Sequence, residues 1–159
     1  MQIKELSVDI ETYCDVDLRK TGVYRYAEDE SFEILLLAVS VNNAPVIVYD
    51  LTKDKLPNII LQALIDDTVT KWAFNATFER ICLSNWIKKQ YPTLLNENFL
   101  SPNSWRCSMI WSAYLGLPLS LEGVGTILKL SEQKLKVGSE LIRYFCLPCK
   151  PTKINGGRT

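Results

Sequence analysis

L-S-V-D-I-E-T, residues 6–12, decides how the rest of the chain is read. Its β-branched and aliphatic residues predict a strand. Asp9 and Glu11 stand two apart within it, and side chains alternate across a strand. Both carboxylates therefore project from one face, while Val8 and Ile10 project from the other. Two acids held side by side on a rigid strand repel unless a cation lies between them. Oxygen ligands of this kind suit Mg²⁺ or Mn²⁺. Alone, a D-x-E strand reads first as a strand with one solvated face, so the weight falls on what surrounds it.

The chain has 159 residues, 47% of them hydrophobic and 23% charged. That is enough to bury one core and is the balance of a globular domain. The longest apolar run, residues 34–39, falls well short of the ~20 residues that cross a bilayer. No signal-peptide layout opens the chain, so membrane association is not expected and a cytoplasmic location is. Five cysteines, an odd number set mostly in apolar segments, fit reduced thiols. Cys146-Leu-Pro-Cys149 would need two further ligands for a zinc site. Histidine is absent, which excludes any Ser-His-Asp triad or His-ligated metal within the chain. Net charge is zero but unevenly spread: residues 1–80 hold 14 acids and 8 bases, residues 81–159 hold 4 acids and 10 bases. An acidic half that binds cations beside a basic half that follows phosphates is one reading of this asymmetry.

Beyond the first strand, residues 13–31 read as an irregular excursion. Residues 32–41 and 46–49 read as strands joined by Asn42-Asn43-Ala44-Pro45, which completes a three-strand meander. A helix is predicted from Leu56-Pro57 to about Ile65, with the proline in its first turn. A fourth strand follows over residues 70–74, then a helix over 76–91 with Asn75 in the capping position. Residues 96–104 read as loop, and helices are predicted over 109–115, 121–130 and 139–145. Three strands, a helix, a strand and a helix is the order of an α/β ribonuclease-H-like domain with a mixed sheet flanked by helices. In that arrangement Glu79, in the first turn of the second helix, starts beside the strand that carries Asp9 and Glu11. Three carboxylates from two rigid elements can hold divalent ions about 3.5–4 Å apart. Asn75 either caps its own helix or reaches a substrate. Trp72, Trp86, Trp105 and Trp111 with Phe74 and Phe78 are read as core before they are read as a base-stacking platform. Lys129, Lys134, Lys136, Lys150, Lys153 and Arg158 are either solvated or aligned to a nucleic-acid backbone.

The pairing of D-I-E-T with N-A-T-F-E, residues 75–79, resembles the four-carboxylate (DEDD) 3′–5′ exonucleases. More closely, the chain looks like the N-terminal proofreading domain of phage and bacterial family-A DNA polymerases. The stretches W-R-C-S-M-I-W, L-P-L-S-L-E-G-V-G and C-K-P-T-K-I-N-G-G-R-T resemble phage-borne polymerases in particular. The resemblance implies that Asp9, Glu11 and Glu79 are catalytic and ligate two Mg²⁺ or Mn²⁺ ions. It also implies that Thr12 and Asn75 contact the terminal nucleotide. The implied substrate is the 3′ end of single-stranded or frayed DNA, and the implied partner is a polymerase domain of the same chain. Two departures stand out. The second motif ends in Glu79 where the family has aspartate, and no Y-x-x-x-D follows to supply the fourth carboxylate. On that basis residues 1–145 are expected to form an exonuclease-like domain incomplete at its C-terminal end, with 146–159 a flexible basic tail. The fragment is then expected to be inactive by itself. A non-catalytic DNA-binding or scaffold domain, and an RNA-trimming relative, are the alternatives.

Overall fold

The computed structural model describes residues 2–132, 135 and 137–154. Five strands form one mixed sheet: β1 (Glu5–Tyr13), β2 (Glu33–Val41), β3 (Ile47–Asp50), β4 (Thr70–Ala73) and β5 (Trp105–Cys107). Their order across the sheet is β3-β2-β1-β4-β5. β1 is central, antiparallel to β2 and parallel to β4, so its backbone groups find partners on both sides. Among the described residues six helices accompany them: α1 (Leu18–Glu28), α2 (Asn58–Ile65), α3 (Ala76–Gln90), α4 (Ser108–Tyr114), α5 (Leu121–Ile127) and α6 (Gly138–Phe145). The ribonuclease-H-like α/β reading and the three-strand meander hold.

The core lies on one face of the sheet. Leu6, Val8 and Ile10 of β1 and Leu37 and Val39 of β2 are buried there with Ile60, Leu61 and Leu64 of α2 and Ile81, Cys82, Leu83 and Ile87 of α3. α3 lies against β1, β2, β4 and β5, which fixes its first turn relative to the central strand. Lys71 of β4 is fully buried and donates from Nζ to the Asp66 carbonyl at 2.7 Å, closing the turn between α2 and β4.

Two elements differ from the sequence expectation. The stretch read as irregular contains α1, started by the Asp17 carboxylate, which accepts from the Arg19 N–H at 2.9 Å. Gly22, at φ 73° and ψ 165°, breaks the helical path within it. Only Tyr26 and Ala27 are buried along its length, so no apolar stripe marks it in the sequence. The second difference is β5, which extends the sheet beyond β4 in parallel register, Lys71 facing Trp105 and Ala73 facing Cys107. Three residues are too few for an alternating pattern to emerge. Smaller shifts also occur. Pro57 takes the capping position before α2 instead of its first turn. After α6, residues 146–154 form no helix or strand, while the rest of the expected tail, residues 155–159, lies outside the described residues along with Lys134 and Lys136.

Candidate active site on the central strand

The two faces of β1 separate as its alternation predicts. Leu6, Val8, Ile10 and Thr12 are buried, whereas Asp9 is exposed and Glu11 half-buried on the opposite side. Asp9 faces Ala38 across the ladder and Glu11 faces Leu36. The register then steps: Thr12 pairs with Ile34, leaving Leu35 as an extra residue in β2 beside the carboxylates. Such bulges bend a strand and re-aim its side chains.

Glu79 enters from the first turn of α3 and is 5% exposed. Its Oε2 is buried with no hydrogen-bond partner among the described residues. Burial pushes its carboxyl up to about 8, and the charge of Asp9 pushes in the same direction. One turn further along α3, burial and the Glu79 charge together raise the Cys82 thiol. The charge of Asp9 is thus felt at Glu79. Glu11 is approached from the other side by Cys146, just past α6, whose Sγ donates to Oε2 at 3.6 Å.

Two concavities meet at Asp9. A groove of about 980 Å³ runs between the sheet and the α5–α6 segment, walled by Asp9, Glu11, Leu36, Leu141, Ile142 and Phe145. The other, about 700 Å³, lies on the sheet face over Ser7, Asp9, Ala38, Ser40 and Trp72. The walls of the groove are mostly apolar with carboxylates at one end, a shape that suits a base or sugar beside a charged centre.

The other predicted site residues are placed differently. Thr12 points into the core, 7% exposed, with Oγ1 2.9 Å from the Tyr26 hydroxyl. Asn75 occupies the capping position of α3, is exposed, and makes no side-chain capping bond. Among the aromatics, Trp86 and Trp105 are buried, while Trp111 is 56% exposed and meets Trp72 edge to face at 5.4 Å. Tyr26 and Cys146 are neighbours of the site that the sequence does not announce: Tyr26 sits in no motif, the Cys146-Leu-Pro-Cys149 spacing raises zinc and not a contact with Glu11, and both reach the site only through the fold.

Among the described residues no three acids, cysteines or histidines close into a ready-made metal cage. The donors nevertheless fit a hard cation. Glu79 holds a buried oxygen without a partner among the described residues and feels the charge of Asp9, and a charge placed there unpaired is costly. A divalent ion would offset both the repulsion and the desolvation.

Brucella melitensis NrnC with bound Mg²⁺ superposes with a TM-score of 0.56 at 16% identity, covering 85% of this chain and 57% of that one. The same protein bound to pGG superposes at 0.55 and 18% identity, covering 85% and 56%. Both likenesses identify a ribonuclease-H-like fold. In sequence, the chain is 48% identical over 157 residues, 98% of its length, to the DNA polymerase of Bacillus phage SP02. It spans 23% of that polymerase's length. No protein-family profile matches the chain. Among the described residues no helix is long and apolar enough to cross a membrane.

Proposed function

We propose that the chain is the 3′–5′ exonuclease region of a phage-type DNA polymerase, acting in the cytoplasm on the 3′ end of single-stranded or frayed DNA. The observation that carries this reading is the Asp9–Glu79 pair: a buried carboxylate oxygen at a helix start, without a hydrogen-bond partner among the described residues, that feels the charge of Asp9 on the central strand. In this reading Asp9 and Glu79 hold Mg²⁺ or Mn²⁺, and Glu11 serves as a further ligand or orients the attacking water. When bound, the ions lower the pKa of water and stabilise the leaving oxygen. The chain's own residues do the rest. The apolar walls at Leu36, Leu141 and Phe145 exclude solvent and seat the terminal nucleotide beside the carboxylates. Asn75, exposed and not engaged in capping, has its amide available to a nucleotide. Thr12 lines the same strand end but is turned inward onto Tyr26, so it supports that end from beneath or must rotate to touch substrate. Glu79 carries one methylene more than the aspartate of the resembling family. Placement errors of about 1 Å can cost on the order of 10²-fold in rate, so α3 must hold the helix start correspondingly further back.

The test compares three proteins on labelled single-stranded DNA with Mn²⁺: the 159-residue chain, a form extended through the next Y-x-x-x-D, and the extended form carrying Asp9→Ala. We expect little shortening by the first, clear 3′ shortening by the second and none by the third. Vigorous metal-dependent trimming by the 159-residue chain would contradict the need for a fourth carboxylate. Trimming that survives Asp9→Ala would remove Asp9 from the site. Competing DNA and RNA oligonucleotides in the same assay separate a DNA exonuclease from an RNA-trimming enzyme. Binding without cleavage by every form would mark a scaffold.

A further inference from the structure

We propose that Tyr26 is a positioning residue for the carboxylate site, tying the end of β1 to the first turn of α3 and so setting the separation between Asp9–Glu11 and Glu79. The inference rests on reading those carboxylates as a metal site and extends it to a residue outside every motif.

Tyr26 belongs to α1 and is 6% exposed. Its hydroxyl lies 2.9 Å from Thr12 Oγ1, one residue past Glu11 and on the far side of the register step. Its ring meets Phe78, the residue before Glu79, at a centroid distance of 6.2 Å and an angle of 41°. It also meets Phe32, at the entrance to β2, at 5.6 Å and 70°. The Tyr26 carbonyl accepts from Cys14 Sγ at 3.5 Å, which pins the backbone of the same residue to the chain just after β1. One side chain thus touches the three segments that flank the bulge and the helix start. Catalytic and metal-binding groups need placement within about 0.5 Å, and a bulged strand is where such placement is most easily lost.

Tyr26 does not touch substrate in this reading. It acts through Thr12 and Phe78. Packing alone is the competing explanation, and the hydroxyl separates the two. Tyr26→Phe keeps the ring and its contacts with Phe32 and Phe78 but removes the Thr12 bond. Thr12→Val removes the same bond from the other side, while Thr12→Ser keeps the hydroxyl.

The experiment titrates the 159-residue chain with Mn²⁺ alone, following free Mn²⁺ by electron paramagnetic resonance, alongside thermal unfolding of each variant. We expect Tyr26→Phe and Thr12→Val each to weaken Mn²⁺ binding about fivefold, the scale of one lost buried hydrogen bond. The double variant should be no weaker than either single one, and Thr12→Ser should bind as the unaltered chain does. Unchanged Mn²⁺ affinity in Tyr26→Phe and Thr12→Val, with only a lower unfolding temperature, would overturn the proposal and leave packing. Asp9→Ala distinguishes the two levels. If it abolishes binding while the Tyr26 and Thr12 variants do not weaken it, only the positioning role falls. If Asp9→Ala binds Mn²⁺ normally, the metal site and the positioning role fall together. Should Tyr26→Phe fail to fold, the Thr12→Val and Thr12→Ser comparison decides the question alone.

Discussion

Cys146 Sγ donates to Glu11 Oε2 across 3.6 Å, bringing the end of α6 against the central strand from 135 residues away in sequence. Burial, and then the Glu11 charge, push this thiol up to about 11 from an ordinary value of 9.0. Its thiolate fraction near pH 8 is therefore about a hundredfold below that of an unperturbed thiol. Alkylation with iodoacetamide, followed by peptide mass spectrometry, should label Cys146 correspondingly slowly. Glu11→Gln should speed that labelling by removing the neighbouring charge and leaving burial as the main cause. Equal rates in both proteins would mean that the contact does not persist in solution.

Glu79 makes stability depend on pH in a direction opposite to most carboxylates. Its folded-state value of about 8 lies above the ordinary value of 4.5. Between those limits the folded chain keeps a proton that the unfolded chain has released, so stability falls as pH rises through the window. The slope reaches at most about 1.4 kcal/mol per pH unit. In metal-free buffer, urea unfolding at a series of pH values should show Glu79→Gln losing less stability than the unaltered chain between pH 5 and pH 8 (roughly the window of linkage). Parallel profiles would place the Glu79 carboxyl in water.

Lys71 presents the complementary case. It is fully buried, and burial lowers its pKa while Asp67 and Asp66 oppose the shift. The unfolded chain therefore holds this proton more tightly, and stability rises with pH as the folded lysine loses its charge on the approach to 10.5. Lys71→Met gives up one hydrogen bond to the Asp66 carbonyl but also a buried charge, so it should change stability by no more than about 1 kcal/mol. Lys71→Ala adds a cavity and should cost roughly 2–3 kcal/mol. Denaturant midpoints of the two variants check the difference.

Gly22 sits at φ 73° and ψ 165°, a region that only glycine occupies readily, and no atom lies within 4 Å of where a Cβ would be. Space is not the constraint there. Gly22→Ala should still cost about 1–3 kcal/mol through backbone strain, measured as a lower unfolding temperature. A neutral substitution would mean that α1 runs straight through this position.

Much of this was legible from short patterns. The D-I-E-T alternation fixed which face carries Asp9 and Glu11, because a strand's period of two leaves no choice once Val8 and Ile10 are buried. Asn75 and Glu79 fell at a helix start because Thr70–Ala73 reads as a strand and Ala76 opens a long apolar-faced segment. What stayed hidden was whatever depends on contacts between distant residues. α1 has too few buried positions to show a period, and β5 is a strand only because β4 lies beside it. Thr12 turns inward because of its parity on β1, yet its partner Tyr26 lies in the stretch that reads as irregular. The burial of Glu79 likewise follows from the packing of α3 and not from its neighbours in sequence.

The place of β1 between an antiparallel and a parallel neighbour also sets when the site can exist during folding. β1, β2 and β3 join through antiparallel pairings, with Asp9 already opposite Ala38. The pairing of Glu5 with Thr70 instead encloses more than sixty residues, and closing so long a loop is entropically slow. Glu79 can meet Asp9 only once that loop is closed. On the ribosome the meander can therefore form while α3 is still being made, and the acidic pair assembles only after it. Until then Glu79 remains in water as an ordinary, ionised side chain.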